Sequence, residues 1–249
     1  MNANMRDRFT AALVALMLAL SLAAPVAAGP FEDGRAAYDR GDYAHALRLW
    51  RPLADQGDTA AQFFLGSTYG AGEGVPQDYT EALKWLRRAA DPDDAEGSQS
   101  LAVTAQLFLG RMYAAGQGVP QDYTEATKWF RRAADQGNAE AQLFLGRMYA
   151  AGQGVPQDYT EALKWLRRAA DQDDAGAQFA LGVMYAAGGG VPQDYVQAHK
   201  WYNLAASRFP ASDAEQRGKA ADARERLAAK MTPAQIAEAQ KLAREWKPK

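Results

Sequence analysis

The chain has 249 residues, with 28 lysine and arginine residues against 30 aspartate and glutamate residues, and it contains no cysteine. A formal net charge of −2 gives no general attraction to nucleic acid or to anionic membrane surfaces. Because no disulfide can form, packing alone must hold the fold together.

Residues 1–28 have the three-part pattern of a secretory signal peptide. Arg6 and Arg8 give a positive start, residues 11–22 an apolar core, and residues 26–28 a small-residue cleavage site. The apolar core has about a dozen residues, fewer than the roughly 20 that a membrane-spanning helix needs. We therefore expect export, no stable membrane insertion after the signal is removed, and a periplasmic or secreted location.

Residues 29–59 are predicted to form an N-terminal capping pair of helices. A short helix near residues 34–39, a tight turn at residues 40–42 and a second helix through Trp50 fit the spacing of apolar residues. The sequence differs from the rest of the chain, as suits the end of a repeat array, where one face must stay polar.

From residue 60 to residue 207 the chain repeats itself. Residues 105–126 are identical to residues 141–162, which start 36 positions later. Four copies can be aligned, and they cover residues 60–94, 103–138, 139–174 and 175–207. Such self-similarity predicts stacked units that share a continuous core.

Each copy is predicted to contain two helices, which we call A and B. In the third copy Ala141, Leu145 and Met148 share one helix face, and this helix A should end at Gly152. Glycine inside a helix costs about 1 kcal/mol relative to alanine. Gly146 nevertheless lies inside helix A, and the other copies repeat it, so we expect close packing against a neighbouring backbone.

Helix B should begin after Asp158, which suits an N-cap, with Glu161 completing an acidic capping box. It should end near Asp171. The tryptophans of the four B helices fall at one phase, which favours a shared core over a ligand platform. They are Trp85, Trp129, Trp165 and Trp201.

The pattern A-x-A-Q-x-x-L-G-x-x-Y-x-x-G-x-G-V-P-Q-D-Y-x-x-A-x-x-W-x-x-x-A-A resembles the Sel1-like repeat, a relative of the tetratricopeptide repeat. The GVPQDY motif begins at Gly74, Gly118, Gly154 and Gly190. The resemblance implies an all-α fold, an α/α solenoid of stacked helix-turn-helix repeats, that binds other proteins. It does not name the partner.

An insertion separates the first two copies, because Ala61 and Ala105 lie 44 residues apart. The additional residues fall within 91–102. Ser98 as a cap and Leu101 in phase with the helix predict about two added turns on the next helix A, with a loop as the alternative. The acidic residues here lack the spacing of a calcium loop, which favours a solvated connection.

Residues 208–249 are predicted to form two C-terminal capping helices. Thr232 as N-cap, Pro233 at the first helical position and Gln235 at the third mark the start of the second helix. Their apolar residues can cover the last repeat, and a docking helix for a partner is the alternative.

No catalytic, cofactor-binding or metal-binding site is predicted. The two histidines, His45 and His199, fall in different units without a zinc-ligand pattern, and no GxSxG motif occurs. Asp78 and Glu81 could form an acid–base pair, but their recurrence in other copies indicates that they serve the repeat.

Positions of helix A away from the core stripe are the candidates for partner contact. At one of two such positions the residue is apolar in all four copies, and at the other the residue varies between copies. This pattern suits a binding ridge with apolar anchors and with basic groups for a partner's carboxylates. The alternative is that the apolar residues are simply buried between repeats. The two sets are Phe63, Leu107, Leu143 and Phe179, and Ser67, Arg111, Arg147 and Val183.

We therefore expect an exported, monomeric scaffold or adaptor that needs no cofactor and binds a protein or peptide of the cell envelope on the concave surface of helices A. Two alternatives stay open: a cell-envelope hydrolase, and a receptor for a glycan or wall fragment. The lack of a catalytic motif in the sequence counts against the hydrolase.

Export should remove residues 1–28, so the protein recovered outside the cytoplasm should begin at Gly29. Mass spectrometry of the purified protein measures this directly. A chain that still begins near Met1 and sediments with membranes would contradict the prediction.

Overall fold

The computed structural model describes residues 29–92 and 98–248, and over these two ranges the chain is helical with no strand. The predicted signal peptide lies outside the described residues. Within them the helices are α1 (Pro30–Asp39), α2 (Tyr43–Asp55), α3 (Thr59–Ala71), α4 (Tyr79–Ala90), α5 (Gln99–Ala115), α6 (Tyr123–Asp135), α7 (Ala139–Ala151), α8 (Tyr159–Asp171), α9 (Ala175–Ala187), α10 (Tyr195–Arg208), α11 (Ala214–Ala228) and α12 (Pro233–Glu245).

The chain divides into two compact units, residues 1–122 and 123–249. The first contains α1 to α5 and the second α6 to α12. Successive helices pack on one another from α1 to α5 and from α6 to α11, and α12 packs on α10. In addition, α3 contacts α5, and α7 contacts α9. This stacking confirms the predicted all-α solenoid of helix-turn-helix repeats. Helices A are α3, α5, α7 and α9, and helices B are α4, α6, α8 and α10.

The ends of the helices follow from local chemistry. At the start of α7 the Asn138 side chain accepts a hydrogen bond from the amide of Ala141 at 2.8 Å. The helix ends at Gly152, whose φ of 66° is the left-handed conformation that glycine adopts without strain. Asp158 caps α8 by accepting from the amides of Thr160 and Glu161 at 2.8 and 3.0 Å. These bounds confirm the predicted helices.

The predicted capping box at the start of α8 is wrong in its second half. Glu161 does not accept from the Asp158 amide, which donates instead to the Tyr149 carbonyl at 3.0 Å. The Glu161 carboxylate accepts from Lys164 Nζ at 2.9 Å and from Trp165 Nε1 at 3.2 Å. Since the preceding helix satisfies the capping amide, the glutamate pairs one turn further along its own helix.

The predicted two-turn extension of the second helix A is too long. Helix α5 has 17 residues, against 13 in α7, which adds about one turn. Ser98 precedes the helix, but its side chain makes no capping hydrogen bond. Gly97 precedes Ser98 in the sequence, and glycine has a low helix propensity.

In α3 and α7 the glycine inside helix A packs against the following helix B, as predicted. A Cβ on Gly146 would lie 2.7 Å from Leu166 Cγ and 3.1 Å from the Ala162 carbonyl oxygen. Gly66 meets Leu86 and Ala82 at the same distances in the first unit. The two backbones therefore approach more closely than any larger residue allows.

The two C-terminal helices pack on α10, the last helix B. Leu227 of α11 joins Ala198 and Tyr202 in a small buried cluster. Trp246, just after α12, meets Trp201 at 6.0 Å between ring centroids. The predicted capping box of α12 forms, with Thr232 and Gln235 satisfying each other's amides. The two predicted helices therefore cover the last repeat.

Gly146→Ala should lower the free energy of unfolding by roughly 1–3 kcal/mol, because the added methyl group overpacks the contact with α8. Gly218→Ala is the matched control, since nothing lies within 4 Å of a Cβ on that α11 residue. It should stabilise by about 1 kcal/mol through helix propensity alone. Urea denaturation of both variants measures the difference, and equal shifts in the same direction would refute the close contact.

Candidate partner-binding surface

The loops between helices A and B hold helix A in a fixed position. In the third copy Gln157 Nε2 donates to the Ala150 carbonyl at 2.8 Å, near the end of α7. The GVPQDY motif is therefore a structural connector. Equivalent bonds link Gln77 to Gly70, Gln121 to Ala114 and Gln193 to Ala186.

A second fixed contact was missed by sequence reasoning, although the glutamine of A-x-A-Q signals it. Gln142 is 4% exposed, and its Nε2 donates to the Ala134 carbonyl at 3.1 Å, in the last turn of the preceding helix B. Gln62 and Gln106 make the same bond, to Ala54 and Ala90, at 3.0 Å. These three A helices are thereby tied to the helix that precedes them.

The last copy departs from this pattern. Gln178 Nε2 donates to the Asp173 carboxylate at 2.9 Å. Asp173 has a φ of 66°, and the equivalent residue of the second copy is Gly137, with a φ of 91°. Arg208 Nε donates to the same carboxylate oxygen at 2.7 Å, so a side chain takes the place of a backbone acceptor.

The four apolar candidates are mostly inaccessible. Phe63, Leu107 and Leu143 are buried, with exposures of 1%, 5% and 7%. Phe179 is half-buried and its ring centroid lies 5.4 Å from that of Tyr202. Burial between repeats, the alternative left open by the sequence, accounts for the first three.

The four variable candidates differ in exposure although they share one helix phase. Ser67 is fully buried, and Arg111 is half-buried in the first unit. In the second unit Arg147 is exposed, and Val183 is 45% exposed, which is high for a valine. We call the surface formed by Arg147, Phe179 and Val183 the A surface of the second unit.

The Asp174 carboxylate lies close to Arg147. The pKa of the Asp174 carboxyl is raised from its ordinary value, first because the group is buried and also because the Glu140 carboxylate is near. The Arg147 guanidinium acts in the opposite direction. The A surface of the second unit is therefore mixed in charge, and Val183 is its exposed apolar part.

Among the described residues no three His, Asp or Glu side chains lie close enough to hold a metal ion. His199 is 3% exposed, and burial, assisted by the Arg224 charge, lowers its pKa. None of the described helices is long and apolar enough to cross a membrane.

The family model for the Sel1 repeat matches this chain five times, at residues 31–58, 59–92, 103–138, 139–174 and 175–208. The first match lies in the segment predicted as an N-terminal capping pair, so the family model finds one repeat more than the four aligned by sequence. The later matches follow the predicted copies closely.

Several solved structures are similar to this chain, including the following two. The protective antigen c5321 of uropathogenic Escherichia coli, which displays an SLR fold, has 30% identity and a TM-score of 0.74 over 88% of this chain. The match covers 45% of the antigen, so this chain spans less than half of that protein. A Sel1 repeat protein from Oxalobacter formigenes has 26% identity and a TM-score of 0.67, over 98% of this chain and 99% of that one.

No curated protein matches the sequence. The Sel1 repeat matches extend over well more than half of the chain, and the helices of both units follow the boundaries of those repeats. On these grounds the protein belongs to the Sel1 repeat family.

Proposed function

We propose that this protein is an exported adaptor that binds another protein or a peptide of the cell envelope on the surface of its A helices. Sel1 repeat proteins are in general non-catalytic scaffolds for protein–protein interaction. The signal-peptide pattern of residues 1–28 supports the envelope location.

One observation carries the proposed surface. At a single position of helix A the residue changes from Ser67 to Arg111, Arg147 and Val183, while the connecting loops keep the GVPQDY motif. Residues that recur in every repeat maintain the fold of the repeat. Exposed residues that differ from one repeat to the next are the ones available for recognition.

The chemistry of the A surface of the second unit indicates what it can bind. Val183 offers an exposed apolar contact, and Arg147 offers guanidinium donors for a carboxylate or a carbonyl. Because the Asp174 carboxylate lies near Arg147 and the Glu140 carboxylate lies near Asp174, a uniformly acidic partner would also meet repulsion. A segment with an apolar anchor beside a single acceptor group fits better.

Arg147→Glu combined with Val183→Asp should weaken binding of the main envelope partner by tenfold or more, since it removes an apolar anchor and reverses a charge. Both residues are exposed, so the thermal melt should stay within a few degrees of the wild type. The partner is first captured on the immobilised mature protein from envelope extract and identified, and its affinity for each variant is then measured.

Lys230→Glu combined with Ala234→Asp is the matched control, because both residues are exposed and the total charge changes by the same amount. This control should bind as the wild type does. Unchanged affinity of the Arg147 and Val183 variant would place the partner elsewhere, and selective capture of wall glycan would favour the receptor alternative.

A further inference from the structure

A groove on the second unit lies between α6 and the loop that follows α7. Its volume is about 410 Å³, within the range of roughly 300–1,000 Å³ that is typical of ligand pockets. It is large enough for one or two side chains of a binding partner. The lining residues are Thr124, Thr127, Lys128, Arg131, Arg132, Gly154 and Val155.

The groove coincides with a departure from the repeat. Leu163 of α8 belongs to an apolar cluster that includes Met184 and is packed by Val191. At the equivalent position of α6 stands Thr127, whose hydroxyl donates to the Tyr123 carbonyl at 2.8 Å and lies 3.5 Å from Met148 Sδ. Threonine is shorter than leucine and partly polar, and Thr127 is 4% exposed, so only the edge of its side chain reaches the groove.

The rim of the groove is basic. Lys128, Arg131 and Arg132 line it, and no carboxylate is among its described lining residues. Arg131 donates to the hydroxyl of Tyr149. A guanidinium has five N–H donors, so Arg131 can keep this bond and still pair with a carboxylate. Lys128 forms an ion pair with Glu125 at 2.8 Å, so most of the positive charge of the rim comes from Arg131 and Arg132.

We propose that this groove is a second binding site, which takes an acidic peptide segment of a partner protein. An apolar side chain of the peptide packs against Val155 and the small exposed part of Thr127, and a neighbouring carboxylate pairs with Arg131. The complementary charge of the basic rim argues for an acidic occupant. The site is separate from the A surface of the second unit, and it does not depend on the function proposed for that surface.

The probe for this site is the peptide acetyl-Glu-Leu-Glu-amide, titrated into the mature protein while the threonine methyl signals are followed by NMR. Thr127→Leu should weaken binding by about tenfold or more, because leucine occupies the space for the apolar anchor. This variant should fold, since Leu83 and Leu163 stand at the same position and are buried. Acetyl-Gln-Leu-Gln-amide should bind much more weakly than the acidic peptide.

A gain of binding provides the second arm of the test. Leu163→Thr should create an equivalent groove, so that each chain binds a second peptide. The surrounding residues are of the same types as those around Thr127, namely Thr160, Lys164, Arg167, Arg168, Gly190 and Val191.

Three results would overturn the proposal. One is equal affinity of the acidic peptide for the wild type and for Thr127→Leu. Another is equal affinity of the wild type for the acidic and the glutamine peptides. The third is competition by citrate at the concentration at which the peptide binds, because that would indicate a general anion site.

Discussion

The contact between the glycine of helix A and the helix B that follows, formed at Gly66 and Gly146, is the constraint on which the rest of this structure depends. At Gly146 any side chain would collide with Leu166 and with the backbone of Ala162. The buried Gln142 then ties the same helix to the preceding repeat. One of these contacts involves the backbone carbonyl of Ala162 and the other the backbone carbonyl of Ala134. The position of helix A therefore depends little on the residues at its surface.

A frame fixed in this way lets the exposed residues change without cost to the fold. Both proposed sites contain a residue that departs from the repeat. Val183 takes the helix A position that Arg147 has in the preceding repeat, and Thr127 takes the helix B position that Leu163 has in the following repeat. The first exposes an apolar side chain on helix A, and the second accompanies a groove beside helix B. In both cases the proposed site is marked by a single residue that departs from the repeat, Val183 or Thr127.

The sequence predicted those features that depend on short-range chemistry. The end of α7 at Gly152, the Asp158 cap and the packing role of Gly146 all follow from a few neighbouring residues. Features set by other elements were harder to predict. Ser67 and Val183 share one helix phase, yet one is fully buried and the other 45% exposed, and phase alone cannot separate them.

The central claim is that exposed departures from the repeat on helix A mark the partner site. Site-specific photo-crosslinking in living cells tests it most directly, with a photoreactive amino acid at Val183 and, as a control, at the exposed Lys230. The account predicts a discrete adduct with one envelope protein from position 183 and none from position 230. An adduct from position 230 with none from position 183 would contradict it.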